Sequence, residues 1–280
     1  MTTSTSPTTI DGGAVKELAD RLVAAERERR PIPPPTSAYS NLNVADAYAI
    51  QQLIVRDRLD GGERIVGWKI GLTSKAMQEQ LGVDQPDYAP ILSGWSIPEG
   101  HPIPIDELIQ PRVEAEIAFE LNRPLAGPGV TVPDVLAATR GVRPALEIID
   151  SRVEDWKIKL PDTIADMASS ARVVVGEPLT PVQDVRTNAG RSASHLDLAK
   201  IGVRFERNGE EVATGVGAAV LGDPAAAVAW AANTLGALGV VLEAGHIVMP
   251  GALHASVPAV RDDLFRAVFD ELGSVAVLFI

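Results

Sequence analysis

The stretch PRVEAEIAFEL at 111–121 carries Glu114, Glu116 and Glu120 at separations of two and four residues in an otherwise apolar run. A β-strand has a period of two, so Val113, Ala115, Ile117, Phe119 and Leu121 share one face, and Glu114, Glu116, Ala118 and Glu120 share the other. Like charges one repeat apart repel, and burial aggravates the cost, so either water or a cation must offset them. A further carboxylate, Glu147, sits in PALEIID between Ala145, Leu146, Ile148 and Ile149, where an unpartnered charge is expensive. With no cysteine in the chain, a metal would have to use oxygen or nitrogen donors. Three carboxylates suit a hard divalent ion such as Mg²⁺, which keeps positions open for water or substrate oxygens. For Glu114 and Glu116 alone the competing reading is a solvated strand face. Lys69, in the apolar segment GWKIG between two glycines, either snorkels to water or is held near an anion.

Other chemistries find less support. The histidines His101, His195, His246 and His254 have no short metal spacing, and no G-x-S-x-G elbow supplies a serine nucleophile. His254, in PGALHAS after an apparent strand, is placed to line a pocket or to sit exposed in a loop. GVGAAVLG at 215–222 imitates a dinucleotide loop, but Val220 occupies the place of the third glycine and no acidic ribose binder follows at the expected distance. Its glycines are better used to turn the chain into the next helix.

These residues need elements to hold them. The chain has 280 residues, 46% hydrophobic and 22% charged, which suits a globular protein with a sizeable core. A formal charge of −12, with ERERR at 26–30 as the main basic cluster, argues against nucleic acid as a partner. No run of about 18 apolar residues suggests a membrane span, and the N-terminus lacks a signal pattern, so a cytoplasmic location is expected. The Ser/Thr-rich first dozen residues read as frayed. Val15, Leu18, Leu22 and Val23 predict a helix over 14–30, stopped by PIPPP. Asn43 and Asp46 open a second, with Ala47, Ile50, Leu53, Ile54 and Leu59 as its stripe. Together they make an N-terminal tail and helical lobe, 1–62.

From residue 63 to 280 short β-like runs dominate: 64–72, 113–121, 145–150, 172–176, 203–215, 246–251, 264–270 and 274–280. Asn208-Gly209 predicts a type I′ hairpin turn, and Leu272-Gly273 a tight connection between the last two strands. Asp223 and Pro224 open a helix running through Leu238 to a stop at Gly239. Strands that outnumber helices without alternating with them favour a mixed, curled β architecture of α+β class over a doubly wound sheet. The unbroken apolar run SVAVLFI at 274–280 implies cover on both faces.

GWKIGLTSKAMQEQLGVDQPDY (67–88), PRVEAEIAFEL (111–121), EIIDSRVEDWKIKLPDTIADMASSARVVVG (147–176) and LGSVAVLF (272–279) resemble the 2-keto-4-pentenoate hydratase and 4-oxalocrotonate decarboxylase family of the fumarylacetoacetate hydrolase superfamily, from about residue 40 onward. The resemblance implies a mixed β-roll domain, Mg²⁺ or Mn²⁺ held by Glu114, Glu116 and Glu147, and lyase action on 2-hydroxydienoates from aromatic meta-cleavage. It further implies Lys69 and Asp87 as catalytic groups, and Leu72, Ser169, Ser170 and His254 as substrate-binding ones. An acid at Asp87 favours the hydratase, whereas GVGAAVLGDP and PGALHASVPA look more like the decarboxylase. A homo-oligomer is implied, with association to a pathway aldolase or to a hydratase or decarboxylase partner. One departure stands out: Met167 occupies the place where the family usually has Asn, which raises the alternative of a metal-binding but catalytically silent scaffold subunit.

Overall fold

The computed structural model describes residues 7–74, 78, 83, 85–182 and 196–280, so His195 and part of the 67–88 motif lie outside the described residues. The first long helix, Gly12–Glu28, begins two residues earlier than its apolar spacing predicts, because Asp11 caps it by accepting from the Ala14 N–H at 2.8 Å. The second, Val44–Asp60, opens with a capping box in which Asn43 and Asp46 satisfy each other's backbone N–H groups. Asp46 also accepts from the Thr9 N–H and hydroxyl and from the Ile10 N–H. That tether corrects the expectation of a frayed start as far as Thr9 and Ile10. Leu18, Leu22, Ile50 and Ile54 pack with Leu92, Trp95, Ile164 and Met167, so the helices share one apolar cluster with the strands' flank.

Among the described residues the strands form two sheets. The larger has the order β2 (Asp87–Leu92), β1 (Ile65–Gly71), β9 (Ile247–Met249), β4 (Arg112–Leu121), β5 (Thr139–Ile149), β6 (Ser170–Val175), β3 (Ser96–Pro98), with β10 (Val257–Pro258) added on β4. It is mixed: β1 with β9 and β3 with β6 are parallel, the other neighbours antiparallel. The smaller runs β12 (Gly273–Leu278), β11 (Leu264–Phe269), β7 (Gly202–Arg207), β8 (Glu210–Val216). Asn208 and Gly209 have φ of 55° and 86°, the double left-handed pair of the predicted hairpin turn. The helix opened by Asp223 ends at Gly236, two residues before the expected Leu238. Three short helices, Pro35–Ala38, Val132–Ala138 and Leu160–Ala165, and strands β2, β3 and β10 were not foreseen.

β12 corrects one expectation. Val275 and Val277 are buried, but Leu278 is 40% exposed and Ile280 43%, so within the chain the C-terminal run has cover on one face only. Leu264, 46% exposed, lies directly across from Leu278 in the β11–β12 register, and the pair forms an open apolar stripe. No helix among the described residues is long and apolar enough to cross a membrane.

Candidate active site

The central strand β4 buries the face of Val113, Ala115 and Ile117 and, on the opposite face, Glu116 and Ala118, while Arg112, Glu114 and Glu120 are half-buried, so the carboxylate face is not a freely solvated one. Glu116 is 1% exposed and Ala118 fully buried, on the side opposite Val113, Ala115 and Ile117. The antiparallel β4–β5 register sets Glu147 directly across from Glu114, with Glu116 two residues along. One carboxylate oxygen from each of the three lies within 4.8 Å of the others. At an effective dielectric of about 20, each such pair of unit charges repels by about 3 kcal/mol. Lys69, 5% exposed on β1, offsets part of this from 3.5 Å to Glu147 Oε2. One ammonium cannot balance three carboxylates, so protons or a cation must supply the rest.

The titration behaviour reflects the same imbalance. Burial, then the Glu147 charge, pushes Glu114 up to about 7. Burial, reinforced by Glu147 and Glu114, holds Glu116 well above the carboxylate range despite the Gly251 N–H donated to its Oε2 at 2.8 Å. Burial pulls Lys69 down, but the surrounding carboxylates, Glu147 foremost, more than compensate and raise it above the ordinary lysine value. Its Nζ also donates to the Ala168 carbonyl at 2.9 Å. Glu116 Oε1 and both oxygens of Glu147 are buried and accept no hydrogen bond among the described residues. Buried, unsatisfied and clustered carboxylate oxygens fit a hard divalent cation.

Asp87, 1% exposed, reaches the same cavity from the start of β2. Its register partner is Gly71, where an added Cβ would stand 2.1 Å from Asp87 Oδ1, so the glycine makes room for the carboxyl. Burial raises its pKa against the lowering effect of Lys69, and Oδ1 has no hydrogen-bond partner among the described residues. These groups open on a cavity of about 650 Å³ that also takes in Leu72, Ser169 and His254. The Ser169 hydroxyl is buried without a partner among the described residues. Ser170 is fully buried as well, but it does not line the cavity.

His254 is a wall rather than a free base. Its Nε2 accepts the Ala115 N–H at 3.2 Å, so the proton sits on Nδ1 and is donated to the Ala255 carbonyl at 2.8 Å. Burial lowers its pKa, and its ring stacks on Phe205 at 4.4 Å. Met167 is buried in the apolar cluster beneath the N-terminal helices and is absent from the cavity wall. The substitution that raised the silent-scaffold alternative therefore leaves the cavity's polar groups in place.

Sequence reasoning missed Arg112, Trp156 and Gly251 as cavity residues. Arg112 was legible, because a period of two puts it on the face of Glu114. Its guanidinium lies 5.2 Å from the Trp156 ring centroid and donates to Ser256 Oγ at 3.3 Å, and it makes no ion pair among the described residues. Gly251 has φ of 124°, and an added Cβ would strike Thr73 Oγ1 at 1.9 Å. That close approach had no sequence signal beyond the glycine itself.

A mixed sheet that gathers three glutamates, a lysine and an aspartate around one cavity defines the class of protein, and the chain belongs to the fumarylacetoacetate hydrolase family. Residues 70–277 match the family model described as fumarylacetoacetate (FAA) hydrolase C-terminal. The chain is 42% identical over 267 residues to a 2-hydroxyhexa-2,4-dienoate hydratase of Comamonas testosteroni, covering 95% of this chain and 97% of that protein. It is 40% identical over 272 residues to a 4-oxalocrotonate decarboxylase of Pseudomonas sp. (strain CF600), covering 97% and 99%. The solved 4-oxalocrotonate decarboxylase from Pseudomonas putida G7, complexed with magnesium and adipate, superimposes with a TM-score of 0.91 at 38% identity over 98% of this chain and 100% of that one. Such coverage carries the likeness into the N-terminal helices, beyond the start near residue 40 that the motifs alone suggest.

Proposed function

We propose that the chain is a divalent-metal-dependent lyase of aromatic meta-cleavage catabolism that hydrates 2-hydroxypenta-2,4-dienoate (2-keto-4-pentenoate), or a close analogue, to a 4-hydroxy-2-oxo acid. The observation that carries the reading is the buried carboxyl of Asp87 facing the same cavity as Lys69 and the three-glutamate cluster. Glu114, Glu116 and Glu147 would hold Mg²⁺ or Mn²⁺, which when bound supplies a Lewis acid for the substrate's oxygens.

The chain's own residues do the rest. Lys69, kept charged by its carboxylate neighbours, donates toward the C2 oxygen and steadies the negative charge that develops there. Asp87, its pKa raised by burial, retains a proton more readily than a free aspartate, delivers it to C5, and as carboxylate draws a proton from the water that adds at C4. One proton and one hydroxide equivalent are thus added, the elements of water, and passage of the C2 hydroxyl proton to C3 turns the resulting enol into the 2-oxo acid. The unsatisfied Ser169 hydroxyl serves the substrate carboxylate. Leu72, Ile149, Ile158 and Trp156 supply an apolar wall for the hydrocarbon chain, and His254 closes the side beyond β4. Ser170, behind the wall, contributes through the backbone that leads into β6.

Decarboxylation of 4-oxalocrotonate is the second reading. Arg112 favours it: a guanidinium at the cavity without an ion-pair partner among the described residues suits a second substrate carboxylate. Incubation of the Mg²⁺-loaded protein with 2-hydroxypenta-2,4-dienoate, and separately with 4-oxalocrotonate, followed by assay of 4-hydroxy-2-oxopentanoate and of CO₂, separates the two reactions. Inertness toward both substrates would reject the lyase assignment. The reading includes a homo-oligomer, for which the Leu264–Leu278 stripe offers an apolar surface, and leaves room for a pathway aldolase or a hydratase or decarboxylase as neighbour.

A further inference from the structure

Arg152 is 3% exposed and does not line the cavity, yet one short segment engages its whole guanidinium. Nε donates to Asp166 Oδ1 and Nη2 to the Asp166 carbonyl, while Nη1 donates to the carbonyls of Asp150 at 2.7 Å and Ser170 at 2.9 Å. The Arg152 N–H adds a bond of 3.0 Å to Asp166 Oδ2, and the Ser151 hydroxyl another of 3.2 Å. Asp150 N–H meets the Ser169 carbonyl at 2.8 Å. Both ends of the segment 166–170 are thereby gripped from one side chain and its neighbours.

Between those ends Met167, Ala168 and Ser169 have φ of 57°, 50° and 55°. Three successive non-glycine residues in the left-handed region are costly, and such strain persists only where the surroundings over-determine it. The turn has two products. It aims the Ala168 carbonyl at Lys69 Nζ, 2.9 Å away, and it leaves the Ser169 hydroxyl unpartnered at the cavity wall. Relaxed to ordinary dihedrals, it would deliver neither.

We propose that Arg152 is a positioning residue: by tying Asp166 to Ser170 across the strained turn, it fixes the carbonyl that orients Lys69 and the hydroxyl that faces the substrate. The inference rests on the roles proposed for Lys69 and Ser169. Only a planar fork of donors reaches a carboxylate and three carbonyls at once, so lysine is a poor substitute at this place.

The test compares wild type, Arg152→Lys, Ser169→Ala and the double variant by kinetics with Mg²⁺ and 2-hydroxypenta-2,4-dienoate, by melting, and by the rate at which an amine-acylating reagent labels each lysine. The expected result for Arg152→Lys is a kcat lower by about a hundredfold, the scale of a misplacement of about 1 Å. Labelling of Lys69 should rise about tenfold or more while Lys16 and Lys157 keep their rates. In the Ser169→Ala background part of the kinetic loss should vanish, because residues acting through one turn are not additive. A folded Arg152→Lys with kcat within about threefold of wild type and unchanged Lys69 labelling would overturn the proposal. So would uniformly faster labelling of all lysines with full additivity, the mark of a merely structural brace. If Arg152→Lys does not fold, Asp166→Asn removes the same grip and carries the same comparison. A wild type inert on 2-hydroxypenta-2,4-dienoate would sink the hydratase reading alone, since the labelling of Lys69 still decides the role of Arg152.

Discussion

At the scale of single residues, the site is defined by charges that cannot all be satisfied by protein. Glu114, pushed up to about 7 from the ordinary 4.5, keeps its proton in the folded metal-free chain at pH values where the unfolded chain has lost it. A carboxyl whose folded pKa is raised contributes no penalty below the unfolded value, a penalty that grows as pH rises from the unfolded to the folded value, and a constant one above it. The metal-free protein should therefore lose on the order of 3 kcal/mol from this group between about pH 4.5 and 7, with little further change above. Melting curves of chelator-treated protein from pH 5 to 8 check this, and added Mg²⁺ should raise the melting temperature more at pH 8 than at pH 6, since binding needs the deprotonated ligands. Replacing Glu114, Glu116 or Glu147 by Gln should sharply weaken Mn²⁺ binding with little loss of fold, measured by calorimetric titration; wild-type affinity in all three would refute their assignment. Asp87→Asn should lower kcat for hydration by roughly 10²–10⁴-fold with metal affinity nearly unchanged. Retained hydration would remove the ground for preferring hydration over decarboxylation.

The elements explain why those residues meet, and also what a sequence could and could not tell. The period of two in β4 was legible, and so was the oddity of a glutamate inside the apolar β5; their pairing, which puts Glu147 across from Glu114, was not, because register is a long-range property. Strand β2 escaped notice because Asp87 and Pro90 disfavour strands locally, while burial of the whole segment overrides that preference. The Thr131–Asp134 capping box before the helix Val132–Ala138 was readable but lies beside a proline-rich stretch that reads as loop. The Ala168 carbonyl has no side-chain signature at all. Two tests belong to this scale. Gly71→Ala should displace the Asp87 carboxyl and lower kcat at least about tenfold in a protein that still folds, since a small misplacement is costly at a reacting centre. Asp46→Ala removes both a helix cap and the anchor of Thr9 and Ile10, and should cost about 2 kcal/mol. Several degrees lost in a melting experiment would agree; an unchanged transition would show that the tether carries no stability.

Over the whole molecule, the small sheet leaves Leu264 and Leu278 paired in the open, with Ile280 just beyond, where a lone chain gains nothing from exposing them. The apolar C-terminal run was legible as a surface in need of cover; that the cover is missing from the chain itself was visible only in the fold. Light scattering at micromolar concentration should find a homo-oligomer, and a charged residue at Leu278 should shift it toward monomer; a monomeric wild type would contradict the assembly. The net charge of −12 makes the cavity's carboxylate cluster still harder to sustain without a cation. The most direct measurement is the rate at which chelator-stripped protein consumes 2-hydroxypenta-2,4-dienoate as Mg²⁺ is added back. A three-glutamate metal site serving a dienoate hydratase predicts a negligible rate without metal and saturable recovery with it, accompanied by 4-hydroxy-2-oxopentanoate. A rate independent of metal, or no consumption with either Mg²⁺ or Mn²⁺, would contradict it.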